Sequence, residues 1–250
     1  MARGKALPFI AFENNKFEVQ DEAMDYLRSL KGKFSILCIA GPYRSGKSFL
    51  ENRLLGIGKN KGFGVGSTVN AMTKGLWIFT DPIPATDAAG NTFPVIVMDT
   101  EGLGDAFGAN ETHDTRIFAL GLLISSFFIY NSVGTIDEQS ISTLKLVTEL
   151  SKNIRVHADE NSDNSPDALG KFFPSFMWLV RDFNLDLVDE AGIPMTADQY
   201  FENALMERSN PDGSEPSDAL KEKNRTRHSL RSYFPNRSCA VLPPPCTDPT

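Results

Sequence analysis

The sequence predicts an α/β protein in which strands and helices alternate, so that a mostly parallel sheet carries helices on both faces in three layers. Three observations lead there. The apolar run Phe34 to Ala40 enters Gly41-Pro42-Tyr43-Arg44-Ser45-Gly46-Lys47-Ser48, which fits the pattern G-x-x-x-x-G-K-S/T, and Phe49, Leu50, Leu54 and Leu55 follow at the spacing of one helix face. A second apolar run, Val95-Ile96-Val97-Met98, ends in Asp99-Thr100-Glu101-Gly102-Leu103, which puts an Asp at a strand end and a Gly shortly after it, about fifty residues beyond the loop. The rest of the chain keeps switching between short apolar runs and helical stripes. Together these define a phosphate-loop NTPase fold, whose ligands sit at the carboxyl ends of the strands.

Residues Pro8 to Val19 read as two short strands around the turn Glu13-Asn14-Asn15-Lys16. Asp21 then caps a helix with Ala23, Tyr26 or Leu27, and Leu30 on one face, ended by Gly32. In the phosphate loop, Gly41 and Gly46 take backbone conformations closed to other residues, so several N–H groups can be aimed at polyphosphate oxygens. The positive end of the following helix adds to that field. Lys47 supplies a point charge for the β- and γ-phosphates, and the Ser48 hydroxyl is a hard oxygen ligand for Mg²⁺.

The glycine-rich stretch 58–68, which includes Val65, Gly66, Ser67 and Thr68, reads as a mobile loop. Such a segment often carries a Thr that completes the magnesium shell, and Thr68 and Thr73 are both placed for it. Strands follow at Gly75 to Thr80 and Thr92 to Met98, joined by Asp81-Pro82-Ile83-Pro84 and a polar turn through Gly90-Asn91. Asp99 is positioned to hold a magnesium-bound water, and the Gly102 N–H to meet the terminal phosphate. Ile117, Leu120 and Ile124 share a helix face, and Phe127 to Tyr130 form a strand.

Thr135-Ile136-Asp137-Glu138 has the form of a capping box opening a helix with Ile141, Leu144, Val147 and Leu150 inward. A polar loop at His157 to Gly170 precedes the strand Phe176 to Val180, which runs into Arg181-Asp182. Thr196 to Gln199 cap a helix with Tyr200, Phe201, Ala204 and Leu205 on its inner side. A second polar loop, Arg208 to Lys223, precedes the last helix and a strand at Cys239 to Leu242. Residues 1–242 thus make one domain, and the prolines of the tail at 243–250 end ordered structure.

A net charge of -7 excludes a broad nucleic-acid footprint, which needs clustered Lys and Arg. The three cysteines show no zinc spacing; Cys38 reads as a core residue, while Cys239 and Cys246 lie near the end, and a reduced, cytoplasmic setting is expected. The greasiest stretch, Ile117 to Tyr130, is too short to span a bilayer, so no membrane anchor is expected.

The usual guanine signal N/T-K-x-D is absent. Asp182 is the substitute, because a carboxylate can accept from guanine N1–H and N2–H together; the plainer alternative is that it caps a turn or pairs with Arg181. Arg44, inside the loop, reads either as a solvated residue or as a built-in arginine finger. Leu103 stands where a catalytic Gln usually follows D-x-x-G, leaving Glu101 or the backbone near Ala71 to Lys74 to position water.

Gly41 to Ser48, Thr73-Lys74-Gly75-Leu76-Trp77, Asp99 to Asp105 and Arg181-Asp182-Phe183 together resemble the large GTPase domain of guanylate-binding proteins, relatives of atlastin in the dynamin superfamily. Phe127 to Ser132 and Tyr233-Phe234-Pro235 extend the resemblance over nearly the whole chain. It implies GTP as substrate and GDP as product, Mg²⁺ as cofactor, Arg44 as internal finger, Thr73 as the switch-one magnesium ligand beside Ser48 and Asp99, and Asp182 as guanine reader. It also implies a nucleotide-dependent homodimer through the GTPase face, with 208–223 at the place of the family's guanine cap. Ala71 stands where many members have Ser, and Pro42 where Leu is usual.

Overall fold

A computed structural model describes residues 4–14, 16–58, 61–64, 75–103, 111–144 and 173–244. It divides into two compact units, residues 1–131 and 132–250.

The first unit opens with the expected hairpin, β1 (Ala6–Glu13) and β2 (Lys16–Val19), antiparallel with Glu13 opposite Lys16. Asn14 takes φ 51, the left-handed conformation that a two-residue hairpin loop demands. In α1 (Asp21–Ser29) the N-cap is Gln20, with no side-chain capping bond, so Asp21 is the first helical residue and acts with Glu22 on the helix dipole rather than as a cap. β3 (Ser35–Ala40) delivers the phosphate loop, and α2 (Lys47–Leu54) leaves it. Next come β4 (Leu76–Phe79), β5 (Ile83–Thr86), β6 (Thr92–Thr100), α3 (Glu111–Ile124) and β7 (Phe127–Val133), the last two residues of which begin the second unit.

The strand order is β2-β1-β4-β6-β3-β7, with β5 also on β6. Among the described residues of this unit β6-β3 and β3-β7 are parallel, whereas β1-β2, β1-β4, β4-β6 and β5-β6 are antiparallel, so the sheet is mixed, not purely parallel. Link length explains the difference. Asp87 to Asn91 is a tight turn, closed by Asp87 Oδ1 accepting from Ala89 N at 2.9 Å and Asn91 N at 2.8 Å, and a turn that short reverses the chain. β5 itself occupies what reads in the sequence as a connection. Pro84 lies directly opposite Pro94, a pairing that asks neither residue for an N–H.

The helix faces also differ from the periodicity. In α3 the buried residues are Ile117, Phe118 and Leu122, not Leu120 and Ile124. The stripe centres on Gly121, where an added Cβ would sit 3.1 Å from Cys38 Sγ, so the absent side chain lets the helix settle on β3. In α2 the buried residues are Lys47, Glu51 and Asn52, whereas Leu54 is 44% exposed. That helix is oriented by its loop, not by its leucines.

In the second unit, α4 (Glu138–Thr143) is capped by Asp137, which accepts from Ser140 N, so the cap lies two residues beyond Thr135 and is a single side-chain cap in place of the expected box. Ile141 and Leu144 are buried as expected; Val147 and Leu150, and the loop 157–170, lie outside the described residues. β8 (Ser175–Arg181) and β9 (Arg237–Val241) pair in parallel. α5 (Ala197–Ala204) carries the full capping box, Thr196 with Gln199, and buries Phe201, Ala204 and Leu205. α6 (Asp218–Tyr233) starts at the Ser217 cap, so 218–223 are helix rather than loop. Its Arg227 is buried and satisfied by the Ala204 carbonyl at 3.1 Å, Asn224 Oδ1 at 3.2 Å and Glu138. Trp178 fills the centre, donating Nε1–H to Ser132 Oγ at 2.9 Å. No helix among the described residues is long and apolar enough to cross a membrane.

Candidate functional site

At the carboxyl end of β3 the chain turns through Gly41 at φ 151, pressed so close to β7 that an added Cβ would lie 2.1 Å from the Asn131 carbonyl oxygen. The loop is then tied on both sides. Tyr43 N donates to Leu103 O at 2.8 Å and Leu103 N to Gly41 O at 3.1 Å, forming a parallel bridge between Pro42 and Leu103. Buried Asn131 donates its Nδ2 to Ser45 O at 2.9 Å and Ser45 Oγ at 2.8 Å. Gly46, left-handed at φ 81, is the N-cap of α2, and Arg44 is held at φ 60, a strained value for a side-chain-bearing residue. The exposed Arg44 guanidinium lies 5.6 Å from the centroid of the Tyr43 ring.

Lys47 is 6% exposed, with Nζ held by the carbonyls of Gly41 at 3.3 Å and Pro42 at 3.1 Å. Burial pushes its pKa down, opposed by the carboxylates of Asp99, Glu51 and Glu101. Ser48 Oγ donates to Asp99 Oδ2 at 2.7 Å, joining the loop to the end of β6 as the two motifs require. Gly102 has no room for a side chain, since a Cβ there would meet Tyr43 Cα at 2.6 Å and Lys47 Nζ at 3.0 Å. Thr100 looks the other way, its Oγ1 donating to the Ile39 carbonyl at 2.9 Å, so it fastens β6 to β3. The neighbouring hydroxyl and carboxylate of Ser48 and Asp99 are hard oxygen donors, the set that suits Mg²⁺.

Three residues that the motifs do not contain belong to this layer. Glu51, one turn after Lys47, is fully buried and receives no N–H or O–H donor among the described residues. Burial, then the neighbouring Asp99 carboxylate, push its pKa well up against the opposing pull of Lys47, so the Glu51 carboxyl holds its proton above the ordinary carboxylate range. Cys38 is pushed up likewise, by burial and then by Glu51 and Asp99, and is inert. Asn52 closes both backbone groups of Phe63, Nδ2 to O at 2.9 Å and N to Oδ1 at 2.8 Å. Inward spacing from Lys47 was the one sequence signal for Glu51; Asn131 and Asn52 left none.

Glu101 accepts at Oε2 from Gly75 N at 3.1 Å, and the same oxygen lies 3.0 Å from His113 Nε2. In the second unit, Asp182 follows the carboxyl end of β8 at φ 56, with Oδ1 buried and without a donor among the described residues. Arg181 beside it gives its carbonyl to Gly134 N at 2.8 Å, and Phe183 N donates to Leu242 O at 2.9 Å, so the strained turn is fixed from both ends. Val65, Gly66, Ser67, Thr68, Ala71, Thr73 and Lys74 lie outside the described residues, as do Gly104 and Asp105.

A glycine-rich turn leading from a parallel strand into a helix, with Lys47 and Ser48 at its head and an Asp at the end of the adjacent strand, is the phosphate-loop nucleotide-binding class of α/β fold. Within that class the chain matches the sequence model of the guanylate-binding protein N-terminal domain over residues 14–250. It belongs to that family. It is 40% identical over 245 residues to guanylate-binding protein 7 of Homo sapiens, an alignment covering 96% of this chain and 36% of that protein. Guanylate-binding protein 3 of Mus musculus is also 40% identical, over 96% of this chain and 38% of its own length. The chain thus spans a little over a third of these relatives. Toc33 of Arabidopsis thaliana, in complex with GDP and Mg²⁺, superposes with a TM-score of 0.41 and 13% identity over 90% of this chain and 77% of that one.

Proposed function

We propose that residues 1–242 form a magnesium-dependent GTPase domain that hydrolyses GTP with an internal arginine finger and dimerises through its nucleotide face. The observation that carries this reading is the Ser48–Asp99 hydrogen bond beside the buried Lys47 ammonium, in a chain of this family. The loop N–H groups, the α2 N-terminus and Lys47 bind the β- and γ-phosphates. Ser48, with Thr73 and, through water, Asp99, would hold Mg²⁺, which supplies charge neutralisation on the phosphates when bound. The Gly102 N–H meets the γ-phosphate, Glu101 orients the attacking water, and Arg44 leaves Tyr43 to neutralise the transition state. Asp182 reads guanine: a carboxylate accepts from its N1–H and N2–H and has no such match on adenine.

A second reading, a GTP-gated interaction module with weak hydrolysis, is favoured by one observation. Leu103 is buried and locked against the loop at the place of the usual catalytic Gln. Two measurements decide. Titration with fluorescent GTP should show magnesium-dependent binding that excess ATP does not displace; no uptake of guanine nucleotide overturns both readings. In multiple-turnover phosphate release, Arg44→Ala should fall by roughly 10³-fold or more. An unchanged rate would assign the chain to the second reading.

A further inference from the structure

Glu101 lies in the motif after β6, but its carboxylate is oriented from outside that motif. Gly75 N at 3.1 Å and the His113 ring at 3.0 Å both converge on Oε2, which leaves Oε1 as the oxygen to accept from a water. The backbone is fixed at the same point, because Glu101 N donates to Gly75 O at 3.0 Å. The imidazole is itself clamped by the N-terminal hairpin. Phe17 stacks on it at 5.5 Å and 10°, and Phe12 packs against it at 4.3 Å and 56°. Its side chain is only 13% exposed, and Nδ1 is buried without a partner among the described residues. The Nε2–H tautomer, donating to Glu101, is the one that leaves no buried ring N–H unmatched, since an unmatched lone pair at Nδ1 costs less than an unmatched N–H.

We propose that His113 is a positioning residue for hydrolysis, holding the Glu101 carboxylate through Nε2–H so that Oε1 faces the attacking water. The proposal rests on the reading that Glu101 orients that water. A carboxylate on a flexible stem samples many rotamers, and two convergent donors plus an aromatic clamp select one of them before substrate arrives. A purely structural His–Glu contact would contribute to stability and leave turnover alone; a positioning contact moves kcat and spares ground-state nucleotide binding.

The test compares wild type, Glu101→Ala, His113→Ala, His113→Gln and the double alanine variant in steady-state GTP hydrolysis and in fluorescent-GTP binding. His113→Ala should lower kcat by about 10- to 100-fold while the GTP Kd stays within about 3-fold. His113→Gln, whose amide N–H reaches the same oxygen, should recover most of the rate, and the double variant should be no slower than Glu101→Ala. A His113→Ala enzyme within about 2-fold of wild type, or failure of Gln to rescue, overturns the proposal while Glu101→Ala remains impaired. If Glu101→Ala itself turns over normally, the water role of Glu101 fails and this proposal goes with it. Imidazole ¹⁵N shifts of the wild-type protein give a readout free of any variant: an Nε2–H ring that responds to Glu101→Gln is expected, and an Nδ1–H ring sinks the idea.

Discussion

Two helices, α2 and α3, pack on the same pair of strands, β3 and β6, and bury opposite chemistry there. α3 presents Ile117, Phe118 and Leu122 around a glycine, the arrangement that apolar burial alone selects. α2 presents Lys47, Glu51 and Asn52, and leaves Leu54 at the surface. The contrast separates two ways of orienting a helix. Hydrophobic area turns α3, whereas the first residues of α2 are dictated by the phosphate loop, and whatever stands one turn on from Lys47 must face the sheet.

If that division holds, changes in the two helices should act on different quantities. Phe118→Ala should cost about 3–5 kcal/mol of stability, measured by urea unfolding, and leave GTP affinity as it is. Lys47→Ala should weaken GTP binding about 100-fold, roughly 2.7 kcal/mol, in a fluorescence titration, with no loss of stability because a desolvated ammonium is removed. Equal losses of stability from both would erase the distinction. Asn52→Ala strands the buried N–H and carbonyl of Phe63 and should cost about 2 kcal/mol in the same unfolding assay.

The smallest effect has the opposite sign. The folded state holds the Glu51 proton at pH values where the unfolded chain, titrating near the ordinary 4.5, has lost it, so this residue's contribution to stability falls as pH rises above that value. Glu51→Gln keeps the shape of the side chain and carries no titrating proton. Its stability relative to wild type should therefore be greater at pH 8 than at pH 5, a difference thermal unfolding can read; the same gap at both pH values would contradict the buried-acid assignment.

Features set by neighbouring residues were legible in the sequence. The phosphate loop, the Thr196–Gln199 capping box and the β1–β2 turn each depend on a few adjacent positions, and each stands where the spacing put it. Strand direction was not legible at β4 and β5, since alternating residues read alike in either sense and only the connection decides. Helix phase failed in α2 and α3 because the buried Lys47 at the end of the loop and a close glycine approach outweighed the leucine count. Caps slipped by one or two residues at Asp21 and Thr135, where the chain offered more than one polar starter. Of the site, Asn131 and His113 were invisible: their partners lie 86 and 12 residues away, and no spacing marks either pair.

The collision recorded at Gly41 has an evolutionary corollary. Because any side chain there would strike the Asn131 carbonyl at 2.1 Å, the fold itself forbids substitution, whether or not phosphate is ever bound. The constraint is one of packing, so glycine at 41 would persist in a descendant whatever residue came to stand at position 47.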